Sequence, residues 1–219
     1  MSRTWIFLDL DGPVLDVSRR YHRVHQDLVE RLGGWPFPLT AYWEAKRNLV
    51  PETEILERAG LSSEAAREAA ASRLADIEGL SYIALDIPWP WTKAALTDLA
   101  RIAPLALVTL RNNPELLNWQ LEVFGLSRHF TRVISGPGDG TPEAKAALLL
   151  GAGISWGPES VFIGDTEVDV ASGRALGLRT IALGCGIRAP ALLERWSPDA
   201  LLEDLSQVPG WLAPPGLPA

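Results

Sequence analysis

Cysteine is nearly absent from this chain: Cys185 stands alone among 219 residues. An intramolecular disulfide is therefore impossible, which excludes a cross-linked secreted scaffold and agrees with a reducing compartment. Between Gly184 and Gly186, after an apolar run, Cys185 reads as a small filler at a strand end. Long hydrophobic runs are missing as well. None approaches the roughly 18 residues that a membrane span needs, so no membrane partner is expected. Positive charge is in short supply, with 20 Lys and Arg against 27 Asp and Glu and a net charge of −7. Such a surface repels nucleic acid and anionic lipid, which argues against both as partners. It also repels an anionic substrate, so a site for one has to bring its own positive charge, from a metal or from Lys and Arg. Histidine is scarce, at three. His22 and His25 share a helix face without a third ligand nearby, so no histidine-built metal centre is expected. No leader is visible either: Met1-Ser2-Arg3-Thr4 runs straight into a short apolar segment that carries aspartates. The expected location is the cytoplasm.

What is present is a hydrophobic share of 47%, enough for a packed core, in a chain long enough for a core domain plus a small second one. Short apolar runs recur. Trp5–Leu8, Leu105–Val108, Arg132–Ile134, Ser160–Ile163 and Arg179–Leu183 read as strands, most of them ended by glycine or a polar turn. Unbroken apolar strands of this kind suit a parallel sheet buried on both faces. Helical patterns at Pro114–Phe124, Glu143–Leu150 and Val168–Leu176 lie between them. The alternation predicts an α/β fold with a doubly wound, Rossmann-like parallel sheet.

From about residue 16 to residue 85 the rhythm changes. No strand is legible there. Val17, Tyr21, Val24, Leu28 and Leu32 form one amphipathic stripe, closed by Gly33-Gly34. Ala66, Ala70, Leu74 and Ile77 form another, begun by Ser62 or Ser63 as N-cap. The expected organisation is an α/β core of residues 1–15 and 86–219 with a small all-helical insertion at 16–85, since so long a loop without structure would be improbable. No internal repeat is found. Pro209–Pro215 reads as an irregular tail, and most of the nine tryptophans are expected in packing, with Trp89 and Trp91 as a rigid re-entry into the core.

The polar residues at the ends of the strands carry the chemistry. Asp9-Leu10-Asp11-Gly12 closes the first strand, and aspartates at i and i+2 point to one side. Alone, this is also ordinary turn chemistry. Thr109 follows the second strand, Lys145 starts the helix after the third, and Gly164-Asp165 with Asp169 follows the fourth. Each has a plain reading by itself: a cap, a solvated lysine, an N-cap. Together they collect at the carboxyl edge of a parallel sheet, where open α/β sheets bind ligands. Asp9, Asp11, Asp165 and Asp169 would repel one another unless compensated. Lys145 offsets one charge, and a hard divalent cation, best magnesium, offsets two more and screens an attacking carboxylate from a phosphate.

This ordered set resembles the four motifs of the haloacid dehalogenase superfamily, and within it the phosphoglycolate-phosphatase-like branch, which carries a helical cap. The resemblance covers nearly the whole chain. It implies a magnesium-dependent phosphatase acting on a small phosphorylated metabolite, as monomer or homodimer. It makes Asp9 the nucleophile that forms an aspartyl-phosphate, and Asp11 the general acid and base. Thr109 and Lys145 bind the phosphoryl group. Magnesium is held by Asp165, the Asp9 carboxylate and the Asp11 carbonyl, and Asp169 orients Lys145 or a metal-bound water.

Two positions depart from the family pattern. Pro13 stands where relatives often carry Thr or Val, which removes an N–H and any side-chain hydroxyl. Leu110-Arg111 follows Thr109 where relatives often have Asn. Arg111 is a possible contact for a second anionic group on the substrate, or else a surface arginine. In the insertion, Arg19, Arg20, Arg23, Lys46 and Arg47 supply positive charge, either toward an anionic substrate or as wet helix faces, and Tyr42 and Trp43 line a pocket or fill a core. Gly136-Pro137-Gly138-Asp139-Gly140 lacks the Gly-Lys-Ser/Thr ending of a phosphate loop and reads as a turn. The alternatives are a sugar phosphomutase of the same superfamily and a non-catalytic binding protein with this fold. Asp11 argues against a dehalogenase, since carbon–halogen cleavage needs no such acid.

Overall fold

The structure is a computed structural model that describes residues 3–213; the side chains of Leu74 and Ala75 lie outside the description. Leu74 of the second stripe and Pro214-Pro215 of the expected tail therefore fall outside the described residues. The chain divides into two compact units, Asp16–Ile87 and the remainder.

Among the described residues a separate two-stranded ribbon pairs Leu15–Asp16 with Ile87–Pro88, and the main sheet of the larger unit has six strands: β1 (Ile6–Leu8), β2 (Leu105–Thr109), β3 (Arg132–Ser135), β4 (Val161–Gly164), β5 (Arg179–Leu183) and β6 (Ala200–Leu202). Their order across the sheet is β3-β2-β1-β4-β5-β6, and every pair is parallel. β1, β2, β4 and β5 are apolar and buried almost throughout because helices cover both faces. On one face Phe7 packs between Phe162, at 6.4 Å, and the edge of Trp156, at 5.6 Å, with Ala106, Val108 and Leu149 around them. Each aromatic pair contributes about 0.5–1.5 kcal/mol beyond the area it buries. From β1 the chain runs out to β2 and β3 on one side, then returns to β4 on the other. The strand order thus reverses between β1 and β4, and a crevice opens at the carboxyl ends of that pair.

The smaller unit contains α1 (Ser18–Arg31), α2 (Leu39–Arg47), α3 (Glu52–Arg58), α4 (Ser63–Asp76) and α5 (Leu80–Ile83). It has its own core of Val24, Leu28, Val29, Leu56, Ala59, Leu61, Ala66, Ala69 and Ile77. α1 stops where Gly33 takes φ +76°, and Ser62 caps α4 by accepting the Ala65 N–H at 3.3 Å. Leu32 is the exception on the first stripe, exposed past the helix end.

The larger unit continues with α6 (Thr92–Ile102), α7 (Pro114–Val123), α8 (Pro142–Gly151), α9 (Glu167–Ala175), α10 (Pro190–Leu193) and α11 (Val208–Leu212). α7 and α8 share one start signal, a side-chain N-cap followed by proline: Asn113-Pro114 and Thr141-Pro142. One expectation needs correction. Val208–Leu212 is helical rather than irregular, because Pro209 occupies the first turn, where its missing N–H costs nothing, and Val208 is buried. Of the nine tryptophans, Trp5 is buried, Trp43, Trp89, Trp91, Trp156 and Trp211 are half-buried, and Trp35, Trp119 and Trp196 are exposed. An indole is large and carries an N–H, so full burial is rare.

Candidate active site

Parallel register builds the site. Leu8 pairs with Ile163, and the Asp9 N–H donates to the Ile163 carbonyl at 2.9 Å. Asp9 and Asp165 thereby leave adjacent strands within one residue of the same level, on either side of the reversal point. Thr109 ends β2 on the far side of β1 and is buried. Lys145, one turn into α8, is buried as well. Its Nζ lies 2.7 Å from Asp9 Oδ1 and also donates to Asp169 Oδ1.

Asp169 does two jobs. Oδ1 takes the lysine, while Oδ2 accepts the N–H groups of Asp165 at 3.2 Å and Thr166 at 3.0 Å and the Thr166 hydroxyl at 2.6 Å. The latter set is the capping box that starts α9. Both oxygens are thus engaged within the protein, Oδ1 by Lys145, and the carboxylate comes within 4.8 Å of those of Asp9 and Asp165.

Asp165 is arranged differently. Its Oδ2 accepts the Ile187 N–H, whereas Oδ1 is buried with no hydrogen-bond partner. A buried carboxylate oxygen left bare is costly unless something binds it. Glycines give the carboxylates their room: a Cβ at Gly12 or Gly186 would stand 2.0 Å from Asp165 Oδ2, and one at Gly164 2.1 Å from Asp169 Cγ. Among the described residues of this cluster, three carboxylates face one ammonium. With all three carboxylates ionised, two negative charges are left over. A divalent, oxygen-seeking cation held by Asp9 and Asp165 fits both the bare oxygen and the charge.

The titration behaviour agrees. Burial, reinforced by the Asp169 charge and opposed by Lys145, pushes Asp9 up to about 7. Burial, then Asp169 and Asp9, holds Asp165 well above the usual carboxylate range. Burial works to lower Lys145, but Asp169 and Asp9 outweigh it and raise it, so it stays an ammonium. Burial thus makes Asp9 and Asp165 hold protons more readily than exposed carboxylates do.

Arg111 meets Asp11. Its Nε donates to Asp11 Oδ2 at 3.0 Å and Nη2 to Oδ1 at 2.7 Å, with the guanidinium almost wholly buried. It is no surface arginine.

Several contributors escaped the sequence reading. The Trp89 indole N–H donates to the Gly12 carbonyl at 2.7 Å, and the Thr92 hydroxyl to the Val14 carbonyl at 2.8 Å, fixing the loop that carries Asp11. The segment after β5 closes over Asp165 through Ile187 N–H, and Arg188 forks onto Glu167 at 2.7 and 2.8 Å. The pair of glycines around Cys185 was the available signal of a close backbone approach.

In the smaller unit, Arg20 forms a buried pair with Asp86 at 3.1 Å, Arg23 an exposed one with Asp27 at 2.8 Å, and Lys46 meets Glu52 at 3.0 Å. Arg19 is exposed. Tyr42 is fully buried, its ring stacked 4.6 Å from His25. Trp43 sits edge-on to Tyr21 at 6.0 Å. His22 shares a hydrogen bond with the Phe37 carbonyl at 2.8 Å, and His25 accepts the Phe37 N–H at 3.1 Å, so the two rings hold a loop.

Comparison with known proteins adds three findings. A family model described as haloacid dehalogenase-like hydrolase matches residues 4–177. The curated plasmid phosphoglycolate phosphatase of Cupriavidus necator is 30% identical over 96% of this chain and 94% of its own length, and a phosphoglycolate phosphatase of Pseudomonas fluorescens is 25% identical over 94% and 79%. The solved haloacid dehalogenase-like hydrolase from Streptococcus pneumoniae superposes with a TM-score of 0.75, at 23% identity, over 96% of this chain and 99% of that one.

Proposed function

The chain belongs to the haloacid dehalogenase-like hydrolase family, and on that premise we propose that it is a magnesium-dependent phosphatase of a small phosphomonoester, working through an aspartyl-phosphate. The observation that carries the reading is the buried group Asp9, Lys145, Asp169 and Asp165, in which one Asp165 oxygen has no partner in the protein. Asp9 and Asp165, with the Asp11 carbonyl, would hold magnesium, which would supply charge neutralisation for the phosphate and the carboxylate beside it.

In the first step Asp9 attacks phosphorus. The P–O bond to the leaving group breaks as the acyl phosphate forms, and Asp11 gives the departing oxygen its proton. In the second step Asp11 takes a proton from water as that water attacks phosphorus. The bond to Asp9 breaks, phosphate leaves and the carboxylate returns. Lys145 stays charged throughout and stands 2.7 Å from the nucleophile, where it stabilises negative charge as it moves onto the phosphoryl oxygens. Thr109 donates to the same group. The Asp16–Ile87 unit serves as the cap that sets substrate choice. The names of the curated relatives favour a short acidic phosphate ester such as phosphoglycolate as the substrate. No helix among the described residues is long and apolar enough to cross a membrane, and the setting we propose is the cytoplasm, with the chain as monomer or homodimer.

The test is phosphate release from a panel of phosphate esters, with and without magnesium, beside Asp9→Asn. The parent hydrolyses at least one ester only with the metal. The variant, still folded, loses at least about 10⁴-fold in kcat. Equal rates in parent and variant refute the assignment of the nucleophile.

A further inference from the structure

Both oxygens of Asp11 are occupied by the Arg111 fork. Parallel pairing of β1 with β2, Leu8 against Leu107, brings the two residues together just past the strand ends. Leu110, between Thr109 and Arg111, turns to Gly138, where a Cβ would stand 2.6 Å from its Cδ2. The alternation leaves Thr109 and Arg111 on the opposite side.

Asp11 cannot act in this arrangement. As acid and base it needs one oxygen free to reach the leaving oxygen and then the water. A two-point guanidinium–carboxylate pair whose guanidinium is almost wholly buried does not open readily, because that charge would lose its partner away from water. Something negative has to take over the guanidinium. The transferring phosphoryl group is met by Lys145 and Thr109, so the remaining candidate is a second anionic group on the leaving part of the substrate. The planar fork matches such a group, carboxylate or phosphate, in the way it matches Asp11.

We propose that Arg111 is a positioning residue that latches Asp11 in the free enzyme and transfers its fork to a second anionic group of the bound substrate, releasing Asp11 to take up a proton from solvent and then give it to the leaving oxygen. The inference rests on the acid–base reading of Asp11 given above. The second anion then speeds turnover as well as tightening binding, and that separates a latch from a plain contact.

The experiment uses two esters that differ only at the far end: 2-phosphoglycolate, with a carboxylate, and 2-hydroxyethyl phosphate, without one. In the parent, kcat for the first exceeds kcat for the second by roughly 10- to 100-fold, the range set by one or two charge-assisted hydrogen bonds. In Arg111→Gln the latch is gone. Turnover of 2-hydroxyethyl phosphate rises about 3- to 10-fold, and the two kcat values converge to within about 3-fold. Arg111→Lys keeps the charge without the fork and falls between, with KM for 2-phosphoglycolate close to the parent's. Thermal melts followed by circular dichroism accompany each variant; if Arg111→Gln fails to fold, Arg111→Lys and the parent's kcat ratio decide alone. An equal fall in kcat on both esters means that Arg111 only props Asp11 and overturns the latch. So does a rise in KM for 2-phosphoglycolate with kcat unmoved, or no change at all. A parent that hydrolyses an aryl phosphate through Asp9 but neither of these esters overturns the latch and leaves the phosphatase reading standing. A parent inactive on every ester sinks both.

Discussion

Lys145→Met removes the ammonium while keeping most of the apolar stem. Nζ lies 2.7 Å from Asp9 Oδ1 and against Asp169 Oδ1. With an effective dielectric constant of about 20 and ~4 Å between charge centres, each contact is worth about 4 kcal/mol before desolvation. Part of that is recovered in the variant, since an ammonium no longer has to be buried. Breaking a buried pair by removing one partner costs about 3–5 kcal/mol net. The total stability of a protein is about 5–15 kcal/mol, so the loss takes a large share. In a chelator the variant should melt roughly 6–20 °C below the parent, at about 2–4 °C per kcal/mol for a chain of this size. Magnesium should restore more to the variant than to the parent, because three carboxylates without their ammonium attract the cation more strongly; saturation at about 100 times Kd adds about 2.7 kcal/mol. The measurement is a set of melts by circular dichroism in chelator and in excess magnesium. A variant melting within about 2 °C of the parent in chelator, or a larger magnesium shift in the parent, refutes the view that one lysine and one cation hold the cluster together.

Two further predictions concern other parts of the molecule. Gly186→Ala places a methyl group 2.0 Å from Asp165 Oδ2, and the displaced carboxylate should weaken magnesium activation at least about 10-fold while costing about 1–3 kcal/mol of stability, read from a magnesium titration of turnover and a urea melt; an unchanged half-activating concentration counts against Asp165 as ligand. His25 is held down to about 4 by burial, against the pull of Glu52. Its folded value lies below its ordinary 6.5, so the neutral ring is the native form. The stability it protects is complete above pH 6.5, drains as pH falls toward 4, and amounts to about 3 kcal/mol. Urea melts at pH 7.5 and pH 5 should show this slope in the parent and lose most of it in His25→Gln; identical slopes would disprove the account.

The strands were legible because a parallel sheet covered on both faces leaves unbroken apolar runs, as in Leu105–Val108 and Arg179–Leu183. β6 was not. Ala200–Leu202 is three half-buried residues at the sheet's edge, too short to separate from a loop. α6 was missed for another reason: it starts at Trp91 without a side-chain cap, so no start signal stands ahead of Ala95, Leu96 and Leu99. Asp9, Thr109, Lys145, Asp165 and Asp169 were visible as polar residues placed at strand ends. Their division of labour came only with the family resemblance. That Asp169 takes the lysine and Asp165 keeps a bare oxygen depends on Thr166 and on the Ile187 N–H, whose positions are set by tertiary packing. Arg111 left two readings open, and its contact with Asp11 rests on the pairing of two strands separated by 96 residues of intervening chain, from Leu8 to Leu105.

The double attachment of Asp169 ties two kinds of selection together. A helix that needs this side chain to begin cannot exchange it without surrendering the ammonium beside the nucleophile, and a lineage drifting toward a different charge here would first feel it as a loosened α9. Pressure for a well-made fold thus guards the chemistry as a by-product, and the reverse holds equally.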